Sequence, residues 1–70
     1  MPNSVPKSLR QMREAMSLTQ TQAAAFLGVS QASLGAWERG EARPSLEKIT
    51  PLARLYGQPV EAVLLVIVGE

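Results

Sequence analysis

Apolar residues recur along this chain at the three- and four-residue steps of a helix, broken by polar caps and glycines. Val5, Leu9, Met12 and Met16 share one helical face, with Lys7, Arg10, Gln11, Arg13 and Glu14 on the others. This predicts a first helix over residues 5–16, capped by Ser4 or Ser8, with Pro6 suited to a first turn. Thr19 and Gln22 have the spacing of a capping box and open a second helix over 20–27, with Ala23, Phe26 and Leu27 inward. Gly28 is placed to end it in a left-handed conformation. Ser30 then caps a third helix over 31–39, with Leu34 and Trp37 inward and Gly40 at its end. Ser45 caps a fourth over 46–56, where Leu46, Ile49, Leu52, Ala53 and Tyr56 keep the period, Glu47 suits the first turn and Gly57 stops the run. Pro51 is the local conflict: either the helix bends there, or it restarts with Thr50 as cap and Pro51 as first residue. Pro59 opens a fifth helix over 59–66 with a tail to residue 70. Val66-Ile67-Val68 favours strand, so the tail is helix or a short β ribbon.

No strand is needed for the rest, so the fold class is all-α, a compact five-helix bundle in one domain over 1–70. Helices two and three, joined through Leu27 to Ser30 with glycine at the first free position, have helix-turn-helix geometry. The residues Leu18-Thr19-Gln20, Ala23, Phe26-Leu27-Gly28-Val29-Ser30, Leu34, Trp37-Glu38-Arg39-Gly40, Arg43-Pro44-Ser45-Leu46, Ile49, Leu52-Ala53 and Tyr56-Gly57 carry a resemblance. In this combination and spacing they resemble the phage-repressor and Cro type of helix-turn-helix, the XRE family, from about Lys7 to Leu64. The resemblance implies a lambda-repressor-like domain that binds operator DNA as a symmetric dimer and regulates transcription.

In such a domain the third helix lies in the major groove with its first residues against base edges. The outward positions here are Gln31, Ala32, Ser33 and Ala36. Glutamine can bond the adenine edge, serine a base or a phosphate, and alanine offers only a methyl contact. Gly35, also placed outward, offers nothing and costs about 0.5–1 kcal/mol in a helix. Either the helix approaches DNA closely there, or the position is simply solvent. Thr19 and Gln20 stand at the N-terminus of the second helix, where N–H groups and the dipole favour phosphate. Arg39 and Arg43 flank the loop that passes the DNA backbone, with Lys7 and Arg10 as weaker candidates. By resemblance, Arg13 and Glu38 form an ion pair between helices one and three, which makes Arg13 scaffold first. Trp37 reads as core.

Composition narrows the field. Of 70 residues none is Cys or His and all six acids are Glu, which removes the usual metal ligands and most nucleophile–base pairs. No cofactor or metal is expected, and no paired carboxylates or phosphate-cradling glycine loop suggest an enzyme. The longest apolar run, residues 62–68, is far short of the ~20 residues of a membrane span, and no signal peptide is visible. A soluble cytoplasmic protein is the expectation. The net charge of +1 divides into +2 over residues 1–45 and −1 over 46–70. A monomer of such modest charge neutralises few phosphates, so useful affinity calls for two subunits on two half-sites.

The fifth helix offers the dimer. Val60, Val63, Leu64 and Ile67 make one apolar face that closes the core, while Ala62, Leu65, Val66 and Val68 point elsewhere and call for a second covering surface. A symmetric homodimer through this helix is the simplest cover; the tail folding back on its own domain is the other. The sequence therefore reads as a DNA-binding repressor acting as a homodimer on palindromic double-stranded operator DNA: a phage switch, a restriction–modification controller or an antitoxin. Against it stands a protein-interaction module that keeps the scaffold and binds a partner such as a toxin through the apolar tail.

Overall fold

Hydroxyl side chains fix most of the helix starts. In the computed structural model, which describes residues 6–68, the Ser8 hydroxyl accepts the Gln11 N–H at 3.1 Å and α1 runs Leu9–Ala15. The start is thus later than expected: Lys7 is not helical, and Ser4 and Val5 lie outside the described residues. α2 spans Gln20–Leu27 behind a complete capping box. Its Gln22 N–H donates to the Thr19 hydroxyl at 3.0 Å, and the Thr19 N–H to the Gln22 side-chain oxygen at 2.9 Å. α3, Gln31–Arg39, starts under the Ser30 hydroxyl, which accepts the Ser33 N–H at 3.0 Å. α4 spans Leu46–Tyr56. Here the expected cap is only half present: Ser45 has the extended cap backbone, but its side chain makes no cap bond. α4 is one continuous helix through Pro51, so no restart occurs at Thr50. Proline there forfeits the bond to the Glu47 carbonyl. α5, Val60–Val68, stays helical through Val68, which removes the β-ribbon alternative for 66–68; the rest of the tail, residues 69–70, is outside the described part.

α2 packs on α3 and α4, α4 on α5, and α1 crosses α3, α4 and α5. Met12, Leu34, Leu52, Tyr56 and Val63 are fully enclosed at the centre, with Leu9, Ala23, Ala24, Leu27, Ile49 and Ala53 around them. Trp37 packs against this core while half-buried. On α2 and α4, two residues expected inward are outside it: Phe26 is 72% exposed and Leu46 86% exposed. Ala24 takes the inward place in α2, because an Ala23–Ala24–Leu27 face lets α3 and α4 approach closely and turns the Phe26 ring away from them. Leu46 is the first residue of α4, one turn short of the layer where Ile49 enters the core. Met16 follows the end of α1 and is also exposed.

Candidate nucleic-acid interface

The turn between α2 and α3 is held from two sides. Gly28 takes φ +70°, a left-handed conformation, which lets the Val29 N–H return to the Ala24 carbonyl at 3.0 Å. From α4, the Lys48 ammonium donates to the Leu27 carbonyl at 2.8 Å. A cation at the last carbonyls of a helix satisfies a free acceptor and complements the dipole. Lys48 was not singled out by the sequence, where it is one polar residue on the outer side of an amphipathic helix.

Beyond that turn, Gln31, Ala32 and Ser33 stand exposed on the first turn of α3, and Ala36 is half-buried one turn on. The Ser33 hydroxyl lies 3.0 Å from that of Ser30. Gly35 is buried rather than outward. A Cβ built there would sit 3.0 Å from the Arg39 guanidinium and 3.7 Å from the Gln20 amide nitrogen, so these two side chains lie across it. Thr19 is exposed, with its hydroxyl and N–H both used by the capping box.

Gln20 is half-buried and doubly bonded. Its amide nitrogen donates to Glu38 at 3.0 Å, and its amide oxygen accepts from Gln31 at 3.0 Å. Glu38 in turn faces Arg13, whose Nε and Nη2 donate to its two oxygens at 2.7 and 3.2 Å while Nη1 donates to the Leu18 carbonyl at 2.8 Å. Both side chains of this pair are nearly enclosed, and the bonds to Glu38 raise the Arg13 pKa above its ordinary value against the opposing effect of burial. The bidentate geometry joins α1 to α3 rigidly. Arg10, Arg13, Gln20, Glu38 and Arg39 line one open pocket of about 440 Å³.

The surface cations are unequal. Arg39 donates to both oxygens of Glu41 at 3.0 and 3.1 Å; the contact lifts the Arg39 pKa and holds the Glu41 carboxyl below its usual range. Arg10 pairs with Glu14 at 3.0 Å. Arg43 and Lys7 are exposed and make no ion pair among the described residues.

On α5 the inward and outward faces differ from expectation. Val63 is enclosed, and Ala62, Val66 and Ile67 pack against the core. Ala62 and Val66 therefore face their own domain. The outward apolar residues are Val60 and Leu64, each 37% exposed, with Leu65 at 67% and Val68 at 56%. A helix apolar on every side carries no periodic signal, and its rotation is set by the docking of α4 and α1.

Two capped helices, a left-handed turn pinned by α4, and a second helix that shows its N-terminal side chains to solvent together define a helix-turn-helix protein. The chain belongs to the helix-turn-helix family, whose model matches residues 9–63. Over 56 residues it is 41% identical to a Bacillus subtilis (strain 168) protein named as an uncharacterized HTH-type transcriptional regulator, YobD. That match covers 80% of this chain and 50% of the relative, so the chain spans about half the length of the curated relative it matches. No solved structure matches it. Among the described residues there is no group of acidic side chains that could hold a metal, and no single helix is long and apolar enough to cross a membrane.

Proposed function

We propose that this chain is a sequence-specific DNA-binding transcriptional regulator, a repressor that binds a palindromic operator as a homodimer. One juxtaposition carries the reading: Gln31, Ala32 and Ser33 stand exposed at the start of α3, beside the capped N-terminus of α2. α3 enters the major groove; Gln31, Ala32, Ser33 and Ala36 meet base edges, and Thr19, Gln20, Arg39 and Arg43 meet phosphates. Arg13 and Glu38 hold α3 in orientation. Membership of the family and the name of the Bacillus subtilis relative support the regulator reading.

A second reading has its own observation. Arg10 and Arg39 already face carboxylates, and α5 shows an apolar face. Both suit a scaffold that binds a protein partner, a toxin for example, instead of DNA. Selection of binding sites from random duplexes, followed by titration at several salt concentrations, separates the two. The regulator selects a two-fold symmetric sequence and its affinity falls steeply with salt. Absence of any selected sequence at low salt leaves the protein-partner reading.

A further inference from the structure

We propose that the groove between the start of α1, the α3–α4 connection and the end of α5 binds an amphiphilic carboxylate, whose head group takes Arg43 away from DNA phosphate. The binding site stands on its own residues; the competition rests on the phosphate role given to Arg43 above.

The groove holds about 430 Å³, within the roughly 300–1,000 Å³ of small-molecule sites. Part of its lining is apolar: buried Leu9 and half-buried Trp37, Val66 and Ile67. Val66 and Ile67 pack toward their own domain, so the groove is separate from the outward strip at Leu64 and Leu65. The rest of the lining carries charge. Lys7 and Arg43 are exposed and make no ion pair among the described residues. The other charges of the groove are already matched. Arg39 donates to Glu41, and the enclosed Glu38 carboxylate accepts from Arg13 and Gln20. The unmatched charge is therefore positive, two cations beside an indole and two aliphatic side chains.

That lining is complementary to an anionic head on an apolar tail. A planar carboxylate fits the arginine fork with two parallel bonds, and lysine adds a point charge. The tail removes the apolar surface of Trp37, Val66 and Ile67 from water. An inorganic anion leaves this surface wet, and an uncharged apolar molecule leaves both cations unpaired. Arg43 cannot serve a carboxylate and a phosphate at once. Carboxylate and DNA therefore weaken each other's binding by the same factor. The groove thereby couples the level of a small carboxylate to operator occupancy.

Trp37 is the one tryptophan of the chain and lines the groove, so its emission reports binding with no DNA present. The full chain is titrated with octanoate, octanol and acetate at constant ionic strength, with helical content followed by circular dichroism. Octanoate gives a saturable emission change at unaltered helical content. Octanol and acetate bind at least about tenfold more weakly, since each lacks either the charge-assisted bonds or the tail. Lys7→Gln and Arg43→Gln each weaken octanoate by about tenfold, whereas Arg54→Gln, outside the groove, leaves it unchanged. Saturating octanoate then weakens operator binding by about tenfold or more and lowers the salt slope by about one per subunit. In Arg43→Gln it has no such effect. No saturable emission change, an equal response to octanol, or a response that accompanies loss of helix overturns the site. Octanoate that saturates the Trp37 response and leaves operator affinity unmoved overturns the competition. A wild-type protein that selects no duplex removes the DNA reading, while the site is still decided by the Trp37 titration.

Discussion

Tyr56 shows how one side chain can be essential by its ring and costly by its hydroxyl. The residue is 1% exposed at the centre of the core, and its hydroxyl oxygen has no hydrogen-bond partner among the described residues. Burial, with the nearby Glu38 charge adding to it, pushes the phenol pKa from 10.0 up to about 12. The neutral form is therefore the one the fold favours. Below pH 10 the phenol is neutral in both folded and unfolded chains, and its contribution is complete. Between about 10 and about 12 the unfolded chain ionises first, and stability is lost as pH rises through that window. Tyr56→Phe keeps the ring, removes the unpaired hydroxyl and removes this titration. Denaturant unfolding should show the variant ~1 kcal/mol more stable at pH 7, with a smaller loss between pH 10 and 12. Lower stability at neutral pH would mean the hydroxyl is satisfied after all. Arg43 poses the opposite case, an exposed cation without an ion pair among the described residues. As a phosphate contact it should act on all sequences alike: Arg43→Ala weakens every duplex by a similar factor and reduces the salt slope by about one per subunit. A loss confined to one sequence would assign it to a base instead.

The ends of α1, α2, α3 and α4 close in the same way, and only α1 does so without glycine. Gly28, Gly40 and Gly57 end α2, α3 and α4 at φ values of 70°, 75° and 65°. After α1 the same place is held by Ser17 at φ 58°, with its N–H returned to the Glu14 carbonyl at 2.9 Å and that of Leu18 to Arg13 at 3.3 Å. This is the paired closure of a Schellman motif. A non-glycine residue there carries a left-handed backbone that costs roughly 1–2 kcal/mol. Ser17→Gly should therefore raise stability by ~0.5–1 kcal/mol, a rise in midpoint of a few degrees on thermal unfolding. An unchanged or lower midpoint would place the balance with the glycine entropy of the unfolded chain. The same comparison shows what was legible in the sequence. Thr19, Ser30, Gly28, Gly40 and Gly57 announce their elements because cap chemistry is local, and the turn that places the candidate interface follows from them. The close of α1 at Ser17 gives no such signal. Phe26 reads as inward in the sequence because an alanine-rich helix hides which face packs closely. Lys48 at Leu27 and the chain from Arg13 to Gln31 depend on tertiary approach, and only the Arg13–Glu38 step had been implied, by resemblance.

Taken together, the described residues form a small domain in which most arginines near the candidate interface are paired and the fifth helix leaves an apolar strip exposed. Arg10, Arg13 and Arg39 each face a glutamate, so few cations remain to meet phosphates. A single domain then gains little from counterion release, and placing two domains on two half-sites doubles the number of phosphates met. α5 supplies a surface on which such a pair can form. Leu65 and Val68 are more than half exposed, and Val60 and Leu64 extend the apolar strip along the helix. A strip related to itself by a two-fold axis buries the same residues on both subunits. Leu65→Glu probes this without touching the core, because the enclosed residue of α5 is Val63. The wild type should sediment as a dimer, and the variant as a monomer with native helical content, weak operator binding and about half the salt slope. Its thermal midpoint should also lose the dependence on protein concentration that dimerisation confers. A dimer that survives Leu65→Glu would move the two-fold contact off this face, and a wild type that is monomeric on its operator would place both half-site readings within separate, unlinked domains.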